Sequence, residues 1–393
     1  MDPILIPIIL IPVFISLLMK YSPLKWDISW SEWGVQFLIG MAILSGVWAV
    51  GRYANTNDVE VLNGAIIDKR EWTFRCPTNT MNPCTNGYDC NCVTICTPTY
   101  DSKGNVSGQS CTTTCDRCYR YSWERNWYVA SNIDKEYQIS RVDAQGANMP
   151  KRWADTQIGD PVSATSSFKN WVKAASNSLF RDSKSNADTF LERGMLPAYP
   201  NKIYDYYKID RVLTPNMRMG RVKEWNDELN KELSVLGPKK EMNAIFVFVK
   251  GTDRNYAHAL RYHWNGFKQN DAVVTIGIND SNSVSWVEVM SWSKHSIFDI
   301  KARQVFDPYV GKPLAEMEPK TIVSEFGKAA NLYFVRRPME EFEYLKSDIK
   351  PSKTLIWISI ILAIAIGFIT SYVFHNVDLD NAFRRNRSGR YYR

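Results

Sequence analysis

Three stretches of the chain carry no charge and few polar side chains: Pro3 to Met19, Trp33 to Gly51 and Thr354 to Phe374. A helix needs about 20 mostly apolar residues to cross a hydrocarbon layer about 30 Å thick. The third stretch (LIWISIILAIAIGFITSYVF) meets that length and places Trp357 and Tyr372 near its ends, where interfacial aromatics are favoured. The second carries Trp33 and Trp48 near its edges. The first is short for a span and contains Pro3, Pro7 and Pro12. A secretory signal has basic residues before its apolar core. Only Asp2 precedes this one, so it reads as a spanning helix, with a re-entrant or interfacial segment as the alternative. The pattern predicts transmembrane helices at 3–19, 33–51 and 354–374.

Between the second and third spans the periodicity changes twice. From 52 to 160 the chain is polar, aromatic and rich in turn residues. Trp123, Trp127 and Tyr128, followed by Tyr137, Ile139 and Val142, suggest a β-hairpin, and Arg152 and Trp153 read as a loop after Pro150. From 161 to 350 the pattern is mixed. Phe168, Trp171, Val172 and Ala175 recur at helical spacing, and Tyr204, Tyr206, Tyr207 and Ile209 fit a strand. Arg221 to Leu236 is a predicted helix with Val222, Trp225, Leu229, Leu233 and Leu236 on one face, ended by Gly237-Pro238. Ala244–Val249 and Ala272–Ile278 are apolar throughout, as in strands covered on both faces. A helix over Asn255–Gly266 joins them, which makes the pair parallel and the crossover right-handed. Ser285–Trp292 alternates like a third strand, and helical segments follow at Ser296–Phe306 and Pro319–Ala329. The predicted fold class is a mixed α+β and α/β membrane-anchored protein. Its parts are two N-terminal spans (1–51), a cysteine-rich β module (52–160), an α/β sandwich of about four strands (161–350), a third span and a basic tail (375–393).

Charge sets the expected orientation. Lys and Arg in short flanks face the cytoplasm. Lys20 and Lys25 lie between the first two spans, and Arg384, Arg385, Arg387, Arg390 and Arg393 follow the third. Arg52, Lys350 and Lys353 oppose this assignment and are outnumbered. The N-terminus and the central region are therefore expected outside, with the Arg-rich tail cytoplasmic. The whole chain has 48 Lys and Arg against 41 Asp and Glu, a net +7 over 393 residues, too small and dispersed to indicate nucleic acid.

All eight cysteines fall in one window: Cys76, Cys84, Cys90, Cys92, Cys96, Cys111, Cys115 and Cys118. An even, clustered set in an oxidising compartment reads as disulfides, replacing a core that this window cannot build. Cys92–Cys96 and Cys115–Cys118 also have spacings near those of zinc ligands, so two four-thiolate zinc sites are the alternative if the module is cytoplasmic. The pairing is open, since eight cysteines allow 105 connectivities. Asn105-Val106-Ser107 fits the glycosylation sequon.

A helix ending in Trp264-Asn265-Gly266-Phe267-Lys268-Gln269-Asn270-Asp271, the strand AVVTIGI, a polar turn and the strand SWVEVMSW together resemble a TPM domain, over roughly Val222 to Val335. The resemblance implies an extracytoplasmic α/β domain, often tethered by a C-terminal span. Members of that family are linked to phosphatase activity, metal binding and accessory roles in assembling membrane complexes. The cysteine module and the N-terminal spans depart from the family pattern.

Candidate chemistry is sparse. There is no Walker loop, H-E-x-x-H, G-x-S-x-G or G-x-G-x-x-G. His258 and His263 are five apart, about 140° around a helix, which suits one metal poorly. Asp271, Asp280 and Glu288, beside strand ends, are the candidates for Ca²⁺ or Mg²⁺. Trp123, Trp127, Trp153 and Tyr206 are candidate partner-binding aromatics, or else core. The apolar runs contain no ionisable residue, which argues against a transporter. The leading expectation is a non-enzymatic assembly or partner-binding protein of a bacterial envelope or viral membrane, whose partners are the bilayer and other membrane, envelope or virion proteins. The alternative is a TPM-type phosphatase or metal-dependent hydrolase.

Overall fold

The computed structural model describes residues 3–23, 26, 28–76, 84–100, 104–133, 135–175, 184–204 and 208–376. In chain order, helices α1 (Leu5–Tyr21) and α2 (Trp30–Ala54) lead into β1 (Asn57–Arg75), β2 (Gly87–Tyr100), β3 (Val106–Tyr119), β4 (Trp123–Ser131) and β5 (Glu136–Ile139). A short helix α3 (Lys151–Asp155), β6 (Pro161–Lys169), α4 (Trp171–Ala174), α5 (Lys184–Glu192) and β7 (Val212–Leu213) follow. Then come α6 (Val222–Lys240), β8 (Asn243–Lys250), α7 (Asn255–His263), β9 (Asp271–Ile278) and β10 (Val284–Ser291). The chain closes with α8 (Ile297–Gln304), α9 (Pro319–Tyr333), a 3₁₀ segment over Met339–Asp348 and α10 (Lys353–Asn376).

Two helices, α2 with 25 residues and α10 with 24, are long and apolar enough to cross a membrane. The third expected span, α1, is an apolar helix of 17 residues that runs through Pro12. The three pack together around Leu5, Ile8, Leu44, Trp48, Leu355, Ala363 and Ile366. Apolar contacts between such helices say little about register, because lipid tails offer the same contacts. Polar groups supply it. Ser16 donates to Gln36 Oε1 at 2.6 Å, Gln36 Nε2 donates to Thr370 Oγ1 at 2.7 Å, and Ser16 and Ser371 hydroxyls meet at 2.5 Å. Each helix thus contributes to one buried cluster.

The first sheet has the order β5-β4-β1-β6, all antiparallel. β1 is long enough to serve two partners, β6 along Asn57–Ala65 and β4 along Ile66–Arg75. β6 lies beyond residue 160 yet completes this sheet; with Val162, Ser163 and Ala164 all buried, it is a strand where helical spacing was expected to begin near Phe168. Helix is confined to Trp171–Ala174, and Arg152 and Trp153 sit in the short helix α3 rather than a loop.

The second sheet has the order β10-β9-β8-β7, with β7, β8 and β9 parallel and β10 antiparallel. Its strands are apolar on both faces because both faces are covered. Phe246, Phe248, Val274 and Ile276 pack under α6, α8 and α9 with Trp225, Leu229, Phe298 and Phe326. Ile245, Val247 and Val273 pack on the other side against Tyr256, Leu260, Trp264, Trp171 and Phe342. The α6 helix continues past Gly237-Pro238 to Lys240. Gly237 is required there, since a Cβ would lie 2.1 Å from the Asn63 carbonyl oxygen of β1. That close approach joins the two sheets.

Candidate functional site

Where the two sheets meet, the turn before β9 reads out β1 residue by residue. Lys268 Nζ binds Asp58 at 2.6 Å, Gln269 Nε2 donates to Glu60 at 3.0 Å, and Asn270 Nδ2 donates to the Val61 carbonyl at 2.8 Å. Asp271, the next residue, turns back into its own domain. It accepts from Tyr199 Oη, Asn243 Nδ2 and the Lys268 amide, each at 2.8 Å. Three consecutive residues with left-handed backbones create this presentation: Asn265 (φ 56°), Gly266 (φ 89°) and Phe267 (φ 68°). A phenylalanine in that region is strained and persists only where its surroundings hold it. Phe267 is buried beside Trp264, and the Gly266 carbonyl accepts the Trp292 indole N–H.

The seam is ionic as well as polar. Burial alone raises Asp58, but Lys268 and Asn170 outweigh it and hold the carboxyl below its ordinary value. At Glu60 burial wins over Arg336, and the carboxyl is raised. Arg211 is fully buried at the junction of β1, β6, α6 and β8. Its guanidinium donates to Asn243 Oδ1 at 3.0 Å and Ser163 Oγ at 2.8 Å, and also to Asn63 and Asn230. Desolvation lowers it to about 9. Single-sequence reading missed these groups because a lone Asp, Asn or Arg shows no pattern until its partner, 210 positions away for Asp58 and 276 for Glu60, is in place.

Asp271 carries a pH prediction. Burial outweighs its hydrogen bonds and raises it to about 6 from an ordinary value of 3.8. Between those values the folded state keeps a proton that the unfolded chain has lost. The associated stability is present below about pH 4 and is lost as pH rises through about 6. Asp271→Asn removes this dependence. Wild-type stability relative to the variant should fall across that window by about 3 kcal/mol at most, read from urea unfolding at several pH values. A difference that stays flat from pH 4 to 7 refutes the assignment.

The cysteine module takes a different form. β2 and β3 make a two-stranded ribbon whose side chains are almost all exposed, with Val93 and Ile95 more than half exposed. The cysteines pair as Cys76–Cys84, Cys90–Cys118, Cys92–Cys115 and Cys96–Cys111, and no free cysteine remains. The eight sulfurs lie in four bonded pairs. At the ribbon's root Glu124 is fully buried. It accepts from the Thr85 and Asn86 amides, both at 2.9 Å, from Asn86 Nδ2 at 2.6 Å and from Arg141. Burial raises this carboxyl, but Arg141 and the amide donors prevail and lower it.

The expected metal residues do not converge. Asp271 opens the eight-residue β9 and Asp280 lies two residues past its other end, so the strand, about 25 Å long at strand rise, separates them. Asp280 is 96% exposed and pairs with Lys250 at 3.1 Å, while Glu288 faces Thr275 in mid-ladder. Among the described residues, the one cluster with metal-ligand proximity is Cys76, Cys84 and Glu124, whose two sulfurs are in a disulfide. Of the candidate aromatics, Trp127 is fully buried and packs against Trp153 at a tilt of 59° in the core of the first sheet; it fills space that this Leu-poor region cannot otherwise fill. Trp153 donates its indole N–H to the Tyr128 carbonyl at 3.0 Å and is partly buried, as is Trp123. Tyr206 and the Arg-rich tail lie outside the described residues.

A cleft of about 480 Å³ lies at the carboxyl end of β8. Gly251, Asp253, Arg193, Tyr256 and Trp286 line it. Carboxyl ends of parallel strands commonly hold ligands in α/β sheets. Asp280 stands beside this cleft through Lys250, and Asp271 is at the far end of the sheet. No family model matches the chain, and comparison with curated proteins and with solved structures likewise gives no match.

Proposed function

We propose that the chain is a membrane-anchored extracytoplasmic protein of assembly or partner recognition, in a bacterial envelope or a viral membrane, with the disulfide ribbon as its contact element. The observation that carries this reading is the ribbon: three disulfides hold an element that gives almost no side chain to any core, and a fourth, Cys76–Cys84, lies just before it. Disulfides fit an oxidising compartment, and α2 and α10 fit the anchors. The turn that carries the TPM resemblance is occupied in clasping two sheets, which favours a structural use of Lys268 to Asp271 over a catalytic one.

The test has two parts. An impermeant thiol reagent on intact cells or particles should label the protein only after reduction. Replacing Gly87–Tyr119 by a short turn should leave the α/β domain's melting unchanged and remove the protein's cross-linked complexes at the membrane surface. Labelling without reduction once membranes are opened, or complexes that survive the replacement, would overturn the reading. The cleft beside β8 supports a second reading, a metal-dependent hydrolase or phosphatase. It requires a rise in melting temperature with Ca²⁺ or Mg²⁺ that Asp280→Asn abolishes.

A further inference from the structure

The two edges of the ribbon differ. β2 carries Asp89 and Pro98, both of which discourage another strand from adding. β3 runs from Gly108 to Thr114 in unbroken register with Val93–Thr99, and this segment, GQSCTTT, has neither charge nor proline. Among the described residues β3 has no neighbour on its outer side. Exposed, straight, uncharged edges are normally blunted, because their free N–H and C=O groups template pairing. Here the disulfide Cys96–Cys111 fixes the run at its middle and Cys92–Cys115 fixes it just past Thr114, so little order remains to be imposed on binding.

We propose that the outer edge of β3 pairs antiparallel with the same edge of a second copy of this chain. This rests on the ribbon being the contact element and names its partner. Charge favours self-pairing. With a two-fold axis at Cys111, the midpoint of the run, residues 108–114 of one copy face 114–108 of the other, and all are uncharged. The nearest charges, Asp116 and Arg117, then face Val106 and Asn105, so no like charges meet. The product is a four-stranded sheet in place of two separate two-stranded ribbons, and sheets of three or more strands are the independently stable ones.

The experiment measures the detergent-corrected mass of the full chain by light scattering. Ser110 and Thr112 are exposed and face each other across the two-fold. Wild type should have twice the chain mass. Ser110→Lys/Thr112→Lys sets lysine against lysine and should halve it. Ser110→Lys/Thr112→Glu sets lysine against glutamate and should restore the doubled mass. Counting disulfides by mass spectrometry shows that each variant still folds its ribbon. A wild type of single-chain mass, or a lysine pair that remains dimeric, overturns the proposal. Neither result bears on thiol labelling, so the extracytoplasmic reading stands or falls separately.

Discussion

Lys268→Met should destabilise the protein by about 3 kcal/mol, lowering the melting temperature of the full chain in detergent by about 6–12 °C. Asp58 and Lys268 are 7% and 9% exposed, and the lysine Nζ sits 2.6 Å from the carboxylate. Removing one member of a buried pair leaves the other charge dry, at a cost of about 3–5 kcal/mol. The lower figure applies because Asp58 keeps Asn170 at 2.9 Å and Lys173 at 3.5 Å. Asp58→Asn/Lys268→Met, which removes both charges, should recover most of the loss. The double variant is informative because a lysine acting only through its aliphatic stem would show no recovery. A single variant within about 0.5 kcal/mol of wild type would mean that the seam is held by Arg211 and the apolar contacts alone.

Reduction should release the ribbon and leave the rest of the region between α2 and α10 folded. A two-stranded hairpin is marginal in water by itself, and this one has no core. Its nested cross-links close loops with sequence separations of 15, 23 and 28. The first closure is worth about 2–4 kcal/mol, the inner ones less once the outer is made. Losing that much raises the open population by about 30-fold or more, so trypsin should cut at Arg117 and Arg120 at least that much faster after reduction. The main thermal transition should not move, since neither core of the α/β domain includes a cysteine. Unchanged proteolysis, or a melt that collapses with the disulfides, would show that the ribbon is coupled to the domain in some way other than through its root at Glu124.

Much of the architecture was legible because burial leaves a one-dimensional trace. β8 and β9 read as apolar runs since both faces are covered, and α6 showed its core face at Trp225, Leu229 and Leu233. Other signals misled for identifiable reasons. Phe168 and Trp171 fall at helical spacing but straddle the end of β6 and the start of α4. Gly237-Pro238 looks like a stop, yet α6 needs the glycine for contact with Asn63 and runs on for one more turn. Trp127 looked equally like a surface aromatic and a core residue until the strand it lies on was paired.

Sequence by itself determined the apolar helices, the two-sided sheet and the concentration of every cysteine in one window, because hydrophobicity, periodicity and residue count are properties of neighbours along the chain. Tertiary structure alone decided which cysteines pair, that Trp127 is core and not surface, and that Lys268, Gln269 and Asn270 belong to β1 as much as to their own turn. The reason is that a cross-link, a ligand set or a buried ion pair is defined by distance across the fold. Residues about 210 positions apart have no relation to each other until the backbone brings them within 3 Å.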